Sequence, residues 1–280
     1  MLDAERQYLK KMHGKDRKIL NSCTRNIKKE KVNLHWWSTE RTDGVENIGD
    51  YLSLVVCSYM LSKRGLSFED NVERTKHLYA IGSIIQGGAQ NATIWGSGLK
   101  HGDDDIGFLF RHTRKLDIRL VRGPKTREVL QKNGFDCPNK YGDPAILLPT
   151  IYKPKVNKKR KHLIILHHES SIICQDSVTP LTSDYMKFID MICESELVIS
   201  SSLHGIILAE VYGVPAILVK DKPVKNPLKY EDYYYSTDRP DFLIADSVEA
   251  AFKMHPMELP NFNELRNTIV NTFPFDLWDR

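Results

Sequence analysis

From residue 32 onward, short apolar runs alternate with glycine-containing turns and with longer stretches of helical character. A continuous apolar run of four to eight residues is typical of a buried parallel strand, and a helix often ends just before a Gly. In the first part of the chain the pattern predicts strands at 32–37, 77–81, 93–95 and 116–121 and helices at 51–64 and 126–133. Further on it predicts strands at 163–166, 197–200 and 215–219 and helices at 183–192 and 205–212.

Repeated strand–turn–helix units predict an α/β fold with two Rossmann-like, parallel-sheet halves. Because the pattern restarts after a segment of linker composition, we expect a ligand cleft between the halves, at the carboxyl ends of the strands. The predicted units are a basic helical arm at 1–31, an N-terminal half at 32–152, a basic linker at 153–162, and a C-terminal half with a returning C-terminal helix at 163–280.

The formal net charge of +4 is unevenly distributed along the chain. Residues 1–31 carry ten Lys and Arg against four Asp and Glu, and residues 153–162 carry six basic residues and no acid. Nucleic-acid binders spread a basic face over the fold, so we expect no nucleic acid as a partner. The arm is either a solvated helix packed on the domain or a peripheral contact with an anionic membrane or acceptor.

Five widely spaced cysteines without a CxxC pair predict neither a disulfide framework nor a zinc site. The N-terminus lacks an apolar signal region, and the most apolar window, 197–219, contains a histidine, a glutamate and a proline. We therefore expect a cytoplasmic protein. Neither a GxGxxG motif nor a P-loop occurs, which disfavours nicotinamide and ATP, and we expect no tightly bound cofactor and no metal.

The strongest local signal is an apolar strand that runs into three serines and then into His204 and Gly205 at the start of an apolar helix. The free N–H groups and the positive end of such a helix can hold a phosphate. His204 could donate to that phosphate or act as an acid or base. The alternative is a capping serine and a structural histidine.

Five weaker signals each keep a structural alternative. Arg122 with its neighbouring cations at a strand end could bind an anion or belong to a capped helix. Asp50 could be a catalytic carboxylate or could cap the following helix, and capping is favoured. The tyrosines at 230–235 could stack on a sugar or pack in the core. The acids at 103–105 and the His-His-Glu sequence at 167–169 could ligate a metal, although an acidic loop and structural histidines are favoured.

Taken in order, five motifs resemble the polysaccharide pyruvyl transferases, and in particular the short subgroup that adds a pyruvate ketal to bacterial exopolysaccharides. They are Asn-Ile-Gly-Asp at 47–50, Gly-Ser-Gly at 96–98, Val-Arg-Gly at 121–123, Gly-Asp-Pro at 142–144, and Leu-His-Gly at 203–205 followed by Gly-Val-Pro at 213–215. The resemblance, from about residue 33 to residue 278, implies a GT-B-like pair of Rossmann halves and a transferase that acts on glycans. It also implies a phosphoenolpyruvate site in which Arg122 and His204 match the family, whereas Ser202 replaces an arginine.

Because Ser202 supplies no positive charge and Glu210 could bind a ribose, our main prediction is a glycosyltransferase that uses a UDP-sugar. A further resemblance to glycosyltransferases of large algal viruses suggests xylose as the sugar. The alternatives are a phosphoenolpyruvate-dependent pyruvyl transferase and a non-catalytic glycan-binding protein. The acceptor would be an oligosaccharide, polysaccharide or glycoprotein glycan. Replacing His204 or Arg122 by Ala should abolish turnover and leave the fold intact.

The predicted site residues fall into three groups. The catalytic residues are His204 and Asp50. The donor-binding residues are Arg122, Ser201, Ser202, Leu203, His204, Gly205, Glu210, Gly96, Ser97 and Gly98. The acceptor-binding residues are Asn47, Tyr233 and Tyr234.

Overall fold

Two sheets, each built only of parallel strands, organise the computed structural model, which describes residues 27–36, 46–87, 90–102, 106, 112–221 and 227–279. In the first sheet the strands follow one another in chain order, namely β1 Val32–His35, β2 Lys76–Tyr79, β3 Ala92–Trp95 and β4 Leu116–Leu120. The second sheet has the order β6-β5-β7-β8-β9, and its strands are β5 Arg160–Ile165, β6 Ser177–Val178, β7 Ser195–Ser200, β8 Ala216–Val219 and β9 Ile244–Ala245.

Helices connect the strands in both halves. They are α1 Ile48–Ser62, α2 Pro124–Lys132, α3 Leu148–Ile151, α4 Tyr185–Cys193, α5 Leu203–Val211, α6 Leu228–Ser236, α7 Val248–Ala251 and α8 Asn263–Asn271. Short 3₁₀ helices cover Pro144–Leu147 and Phe275–Trp278. None of the described helices combines the length and apolar character that a membrane crossing requires. The predicted α/β class with two Rossmann-like halves is confirmed.

One hydrophobic cluster joins the two halves. Successive residues of a strand point to opposite faces of the sheet, so alternate residues enter different clusters. On β5, Leu163 and Ile165 belong to the shared cluster, whereas Ile164 belongs to a second cluster on the other face. The shared cluster also contains Leu52 of α1 and Ile206 of α5. Burial of apolar surface between the halves therefore holds their strand ends in a defined relative position.

The C-terminal segment packs on the first sheet although it follows the second sheet in sequence. The indole Nε1 of Trp95 donates to the carbonyl oxygen of Ile269 at 3.0 Å, and Lys76 Nζ donates to the carbonyl oxygen of Leu277 at 2.7 Å. The indole of Trp278 donates to the carbonyl oxygen of Ser67 at 2.9 Å. The chain thus crosses between the halves a second time and returns to the first sheet.

The basic segment predicted as a linker is only partly a linker. Strand β5 begins at Arg160, and His162 pairs with Leu197 of β7. The side chains of 160–162 remain exposed while their backbone joins the sheet, and Lys159 and Arg160 both pair with Glu194. The exposed, charged side chains at 160–162 therefore hide the first half of strand β5 from a prediction based on apolar runs. Residues 1–26 of the predicted arm and the acids at 103–105 lie outside the described residues.

Candidate functional site

Turns of the two halves come into contact near the carboxyl ends of their strands, and we call the region between these turns the cleft that the sequence predicts for Rossmann-like halves. The start of α1 belongs to the first half, yet the backbone N–H of Ile48 donates to the carbonyl oxygen of Pro180 in the second half at 2.7 Å. Asn47 and Leu181 form an antiparallel bridge at the same place. The turns that follow the strands of both sheets therefore line one space.

The first turn of α1 brings two predicted site residues to this cleft. Asn47 caps the helix, because its side-chain oxygen accepts a hydrogen bond from the backbone N–H of Gly49 at 3.1 Å. The prediction that Asp50 caps the helix is therefore wrong. Asp50 is half-buried, and its carboxylate lies against Gly82 in the turn after β2. Asn47 Nδ2 also lies 3.4 Å from Nδ1 of His168, so it faces the second half.

His204, the first candidate for catalysis, lies where α5 meets the first half. Its Nε2 is 3.5 Å from Oδ2 of Asp143, and its side chain keeps 12% exposure. Its Nδ1 lies against the α-carbon of Gly49, where an added Cβ would come within 2.0 Å. Only glycine at position 49 permits this approach, so the Asn-Ile-Gly-Asp and Leu-His-Gly motifs are in direct contact.

Asp143 is a site residue that the sequence pattern does not indicate. It is fully buried, and its Oδ1 accepts a hydrogen bond from the N–H of Ala145 at 3.0 Å at the start of a 3₁₀ helix. Its Oδ2 and the Nε2 of His204 are both buried and have no hydrogen-bond partner among the described residues. Buried polar groups are normally paired. The unpaired atoms mark this junction as a place where a small shift would form a hydrogen bond.

Arg122 is brought to the cleft, but its environment is that of a structural residue. Its side chain is only 1% exposed and pairs with the fully buried Asp232 at 3.1 Å. It also donates to Oγ of Ser83 at 2.7 Å and to the carbonyl oxygen of Leu99 at 2.9 Å. Of the three guanidinium nitrogens of Arg122, Nε alone has no hydrogen-bond partner among the described residues. With this environment we expect Arg122→Ala to destabilise the fold, because the buried carboxylate of Asp232 would lose its partner.

The Gly-Ser-Gly turn supports Arg122 rather than presenting free donors to a ligand. The hydroxyl of Ser97 is buried and donates to the carbonyl oxygen of Gly82 at 2.9 Å. Gly98 packs against the guanidinium of Arg122, and the N–H of Gly96 donates to a carbonyl oxygen of β4. These contacts favour a structural role for the turn, and its predicted role in donor binding stays a prediction.

The serines before α5 form a network among themselves and with the preceding strands. Ser201 is buried, and its Oγ accepts a hydrogen bond from the N–H of His167 at 2.9 Å. Ser202 is the N-cap residue of α5, although its side chain makes no capping bond. Leu203 is buried, and Gly205 packs against the hydroxyl of Ser200. These residues are brought beside the cleft, and their role in donor binding stays a prediction.

Glu210 does not face the cleft, and its predicted role toward a ribose is corrected. Arg239 holds its carboxylate with two hydrogen bonds, of 2.8 and 2.6 Å, and the hydroxyl of Tyr233 donates to it at 2.5 Å. Burial and the neighbouring carboxylate raise the pKa of Tyr233, which therefore stays a neutral donor. Because Glu210 is 3% exposed and its carboxylate is occupied, it stabilises the packing of α5 against α6.

The acceptor surface predicted for Tyr233 and Tyr234 is likewise not exposed. Tyr233 has no exposed surface and Tyr234 has 2%. The ring of Tyr234 stacks on Phe242 with centroids 4.4 Å apart. The structure therefore favours packing in the core over stacking on a sugar. The face of α6 that carries the rings of Tyr233 and Tyr234 is buried between the two halves.

Within the described residues, His167, His168 and Glu169 form a group whose potential ligand atoms all lie within 4.8 Å of one another. Neutral imidazoles and a carboxylate are a donor set that binds transition metals. However, Nδ1 of His167 already accepts a hydrogen bond from the N–H of Glu169 at 3.2 Å. Burial and nearby cations lower the pKa of His167 to about 3, so the ring is neutral with its proton on Nε2. That tautomer is a hydrogen-bond donor and does not fit a metal ligand.

The fold and the cleft define an α/β protein of two Rossmann-like halves with charged residues at facing strand ends. Residues 1–223 match the sequence profile of the family described as polysaccharide pyruvyl transferase. The chain belongs to the polysaccharide pyruvyl transferase family, as its ordered motifs indicate.

The sequence identity between this chain and individual relatives is low. The chain is 26% identical over 215 residues to the succinoglycan biosynthesis protein ExoV of Rhizobium meliloti, covering 71% of this chain and 63% of ExoV. It is also 26% identical over 183 residues to an uncharacterised protein of Acanthamoeba polyphaga mimivirus, covering 59% of this chain and 61% of that protein. The match thus spans about three fifths of the length of these relatives.

A solved structure supports the fold assignment. The crystal structure of a functionally uncharacterised protein of Klebsiella pneumoniae subsp. pneumoniae superposes with a TM-score of 0.51 at 13% identity. The superposition covers 84% of this chain and all of that chain. At this identity the likeness concerns the arrangement of strands and helices alone.

Proposed function

We propose that the protein transfers the pyruvyl group of phosphoenolpyruvate to a polysaccharide and forms a ketal with two hydroxyls of one sugar. The family supports this reaction, which the sequence analysis kept as its alternative. The main prediction, transfer from a UDP-sugar, relied on Glu210 as a ribose ligand. Since Arg239 and Tyr233 occupy that carboxylate, this reason for a nucleotide donor is lost.

The observation that carries the proposal is the His204–Asp143 pair. Each residue lies in a family-like motif, one in Leu-His-Gly and the other in Gly-Asp-Pro, and the two meet across the cleft at 3.5 Å. A buried carboxylate beside Nε2 stabilises a proton on that nitrogen and leaves Nδ1 with its lone pair. Because Nε2 is fully buried, a substrate in the cleft can reach only the other side of the ring.

The proposed reaction needs one proton acceptor near the sugar and one proton donor near the donor carbon. The methylene carbon of phosphoenolpyruvate takes up a proton and becomes the methyl group, while a sugar hydroxyl adds to the adjacent carbon and loses its proton. The bond from that carbon to the phosphate oxygen breaks, and inorganic phosphate leaves. A second hydroxyl then adds to the same carbon and loses its proton, which the released phosphate takes up, so that the products are the ketal and hydrogen phosphate.

In this scheme Nδ1 of His204 accepts the proton of the attacking hydroxyl, and Asp143 holds the ring and stabilises the imidazolium that forms. Asp50, in the first turn of α1 and half-buried in the same cleft, is the second candidate acid or base. Asn47 at the cap of that helix is the candidate for contact with the acceptor. A cytoplasmic location and a membrane contact of residues 1–31 stay predictions.

The test is a coupled assay on the intact protein with phosphoenolpyruvate and an exopolysaccharide acceptor that lacks pyruvate. We expect release of inorganic phosphate that depends on the acceptor, and a new ketal methyl signal in the proton NMR spectrum of the polysaccharide. Parallel reactions contain UDP-glucose or UDP-xylose in place of phosphoenolpyruvate. Incorporation of a sugar from either nucleotide, without phosphate release from phosphoenolpyruvate, would overturn the proposal in favour of a glycosyltransferase.

A further inference from the structure

Helix α6 lies between the two halves, and its first turns contact both. Leu228 is buried in the cluster that contains Val121 of the first half. Two residues further on, the hydroxyl of Tyr230 donates to the carbonyl oxygen of Ser201 in the second half at 2.8 Å. Asp232 returns to the first half and accepts a hydrogen bond from the N–H of Thr126 at 2.8 Å. The residue between the first two contacts, Lys229, is thereby placed at the cleft.

Lys229 is a half-buried cation without a carboxylate partner among the described residues. Its ammonium lies 4.8 Å from the ring centroid of Tyr230, which is a contact with an aromatic face and not an ion pair. A partly buried charge normally has a partner of opposite sign, because desolvation is costly. The ammonium therefore has donors that no described residue satisfies.

The charged groups around Lys229 come from four different turns. Arg122 after β4 and Lys100 after β3 repel its charge, whereas Glu169 after β5 and Asp221 after β8 attract it. The carboxylate of Asp221 already accepts a hydrogen bond from the N–H of Ser171 at 2.9 Å. Burial and the two cations outweigh the carboxylates and lower the pKa of Lys229 to about 8. At neutral pH the amine is therefore mostly protonated.

His167, which follows β5, lies close enough to Lys229 for the two to interact electrostatically. Its ring is neutral, with the proton on Nε2, because Nδ1 accepts the N–H of Glu169. The cleft thus combines a protonated amine with a neutral N–H donor, and both are groups that bind an oxyanion.

We infer that Lys229, assisted by His167, binds an oxyanion at the cleft and that in the reaction this oxyanion is the phosphate of the donor. The second part rests on the proposed function, whereas the first part does not. Phosphate is favoured over a carboxylate because it brings more negative charge and more acceptor oxygens to the ammonium and the imidazole. Negative charge at this position would also compensate the repulsion among Lys229, Lys100 and Arg122.

The binding test uses inorganic phosphate and the full-length protein in isothermal titration. We expect Lys229→Gln to weaken phosphate binding by about 10- to 100-fold, as for the loss of a charge-assisted hydrogen bond. Lys229→Arg should keep most of the affinity. Lys253→Gln, which removes an exposed lysine remote from the cleft, is the matched control and should bind like the wild type. Equal affinity of the wild type and Lys229→Gln, or no phosphate binding by the wild type, would overturn the inference.

The pH dependence of phosphate binding separates Lys229 from the other cations. Wild-type affinity should fall above pH 8, because the amine must then be protonated before it can bind. Lys229→Arg should show no such fall, since its guanidinium keeps its charge. An unchanged fall in Lys229→Arg would contradict the assignment. Should Lys229→Gln fold poorly, Lys229→Met retains the apolar stem and replaces it in these titrations.

The two proposals can fail separately. If phosphate binds through Lys229 but phosphoenolpyruvate is not consumed, the oxyanion site stands and the proposed function is wrong. If pyruvyl transfer occurs and Lys229→Gln leaves the KM for phosphoenolpyruvate unchanged, the function stands and the role of Lys229 is wrong. If both proposals are correct, Lys229→Gln raises the KM for phosphoenolpyruvate together with the Kd for phosphate, and kcat changes less.

Discussion

Two pairs of ionisable residues lie at the cleft, and they differ in how completely neighbouring groups satisfy their hydrogen bonds. Arg122 and Asp232 are 1% and 0% exposed, lie 3.1 Å apart and share further hydrogen bonds with Ser83 and Thr126. His204 and Asp143 are 12% and 0% exposed, and the facing nitrogen and oxygen, 3.5 Å apart, form no hydrogen bond. The Arg122–Asp232 pair belongs to the folded core. The His204–Asp143 pair lies at the cleft, and its two facing atoms lack hydrogen bonds.

This difference separates a structural role from a chemical one. A buried ion pair with all its neighbours in place resists change, because removing either partner leaves an uncompensated charge. His204 keeps an exposed edge beside the buried carboxylate of Asp143, so its ring stays within reach of a ligand in the cleft. Both pairs contain residues of family-like motifs, so motif membership alone does not distinguish the two roles.

The largest effect is expected at His204. Replacing it by Asn should lower kcat of pyruvyl transfer by about 10²- to 10⁴-fold, the usual contribution of a positioned acid or base. The variant should unfold at nearly the same urea concentration as the wild type, since the ring makes no hydrogen bond in the core. Steady-state kinetics and urea titration measure the two quantities. Normal turnover would remove His204 from the mechanism.

The second-largest effect is expected on the stability of the fold, at Arg122. Arg122→Met should reduce the free energy of unfolding by about 3–5 kcal/mol, because the buried carboxylate of Asp232 loses its partner. The double variant Arg122→Met, Asp232→Asn should lose less than Arg122→Met alone. Urea denaturation followed by fluorescence provides the measurement. If Arg122→Met were as stable as the wild type but could not bind phosphoenolpyruvate, Arg122 would be a donor ligand after all.

A smaller effect on turnover is expected at Asp143. Asp143→Asn keeps the oxygen that accepts the N–H of Ala145 and removes only the charge next to His204. Turnover should fall by about 10- to 100-fold, corresponding to one hydrogen bond to a charged group. In the His204→Asn background the same change should have little further effect, because the two residues act as a unit. Additive losses would show that Asp143 acts independently of the histidine.

The smallest effect is expected at Tyr230, whose hydroxyl connects α6 to the serine turn. Tyr230→Phe should lower the free energy of unfolding by about 0.5–1.5 kcal/mol, the typical net value of one hydrogen bond. Phosphate affinity should weaken slightly, since Lys229 depends on the same helix turn for its position. Comparison with Tyr235→Phe, on the same helix and only partly buried, controls for general effects of the substitution.

Much of the fold could be predicted from local pattern. Short apolar runs followed by glycine turns indicated most strands, since buried parallel strands have little polar interruption. The pattern missed β6, β9 and helix α6, which are either two residues long or rich in tyrosine and charge. It also assigned the start of β5 to a linker, because exposed lysines mask a strand whose backbone alone is paired.

For the site, the sequence indicated the position of His204 but not its partner. Asp143 lies 61 residues before His204, and Asp232 lies 110 residues after Arg122, as the residue numbers show. No local spacing encodes such pairs. Glu210 shows the reverse error. It lies six residues after His204 on the same helix, which suggests a free carboxylate, but Arg239 pairs with it.

By itself, therefore, the sequence determined the α/β class, the two halves, the family and the turn that carries His204, because these depend on periodicity and on short ordered motifs. The tertiary structure decided which charges are satisfied. It assigned Arg122 and Glu210 to the core and left His204 at the cleft, and it brought Lys229 to the same cleft from a helix that no motif marks. Satisfaction of a buried charge depends on groups from distant parts of the chain, and only packing of the two halves brings them together.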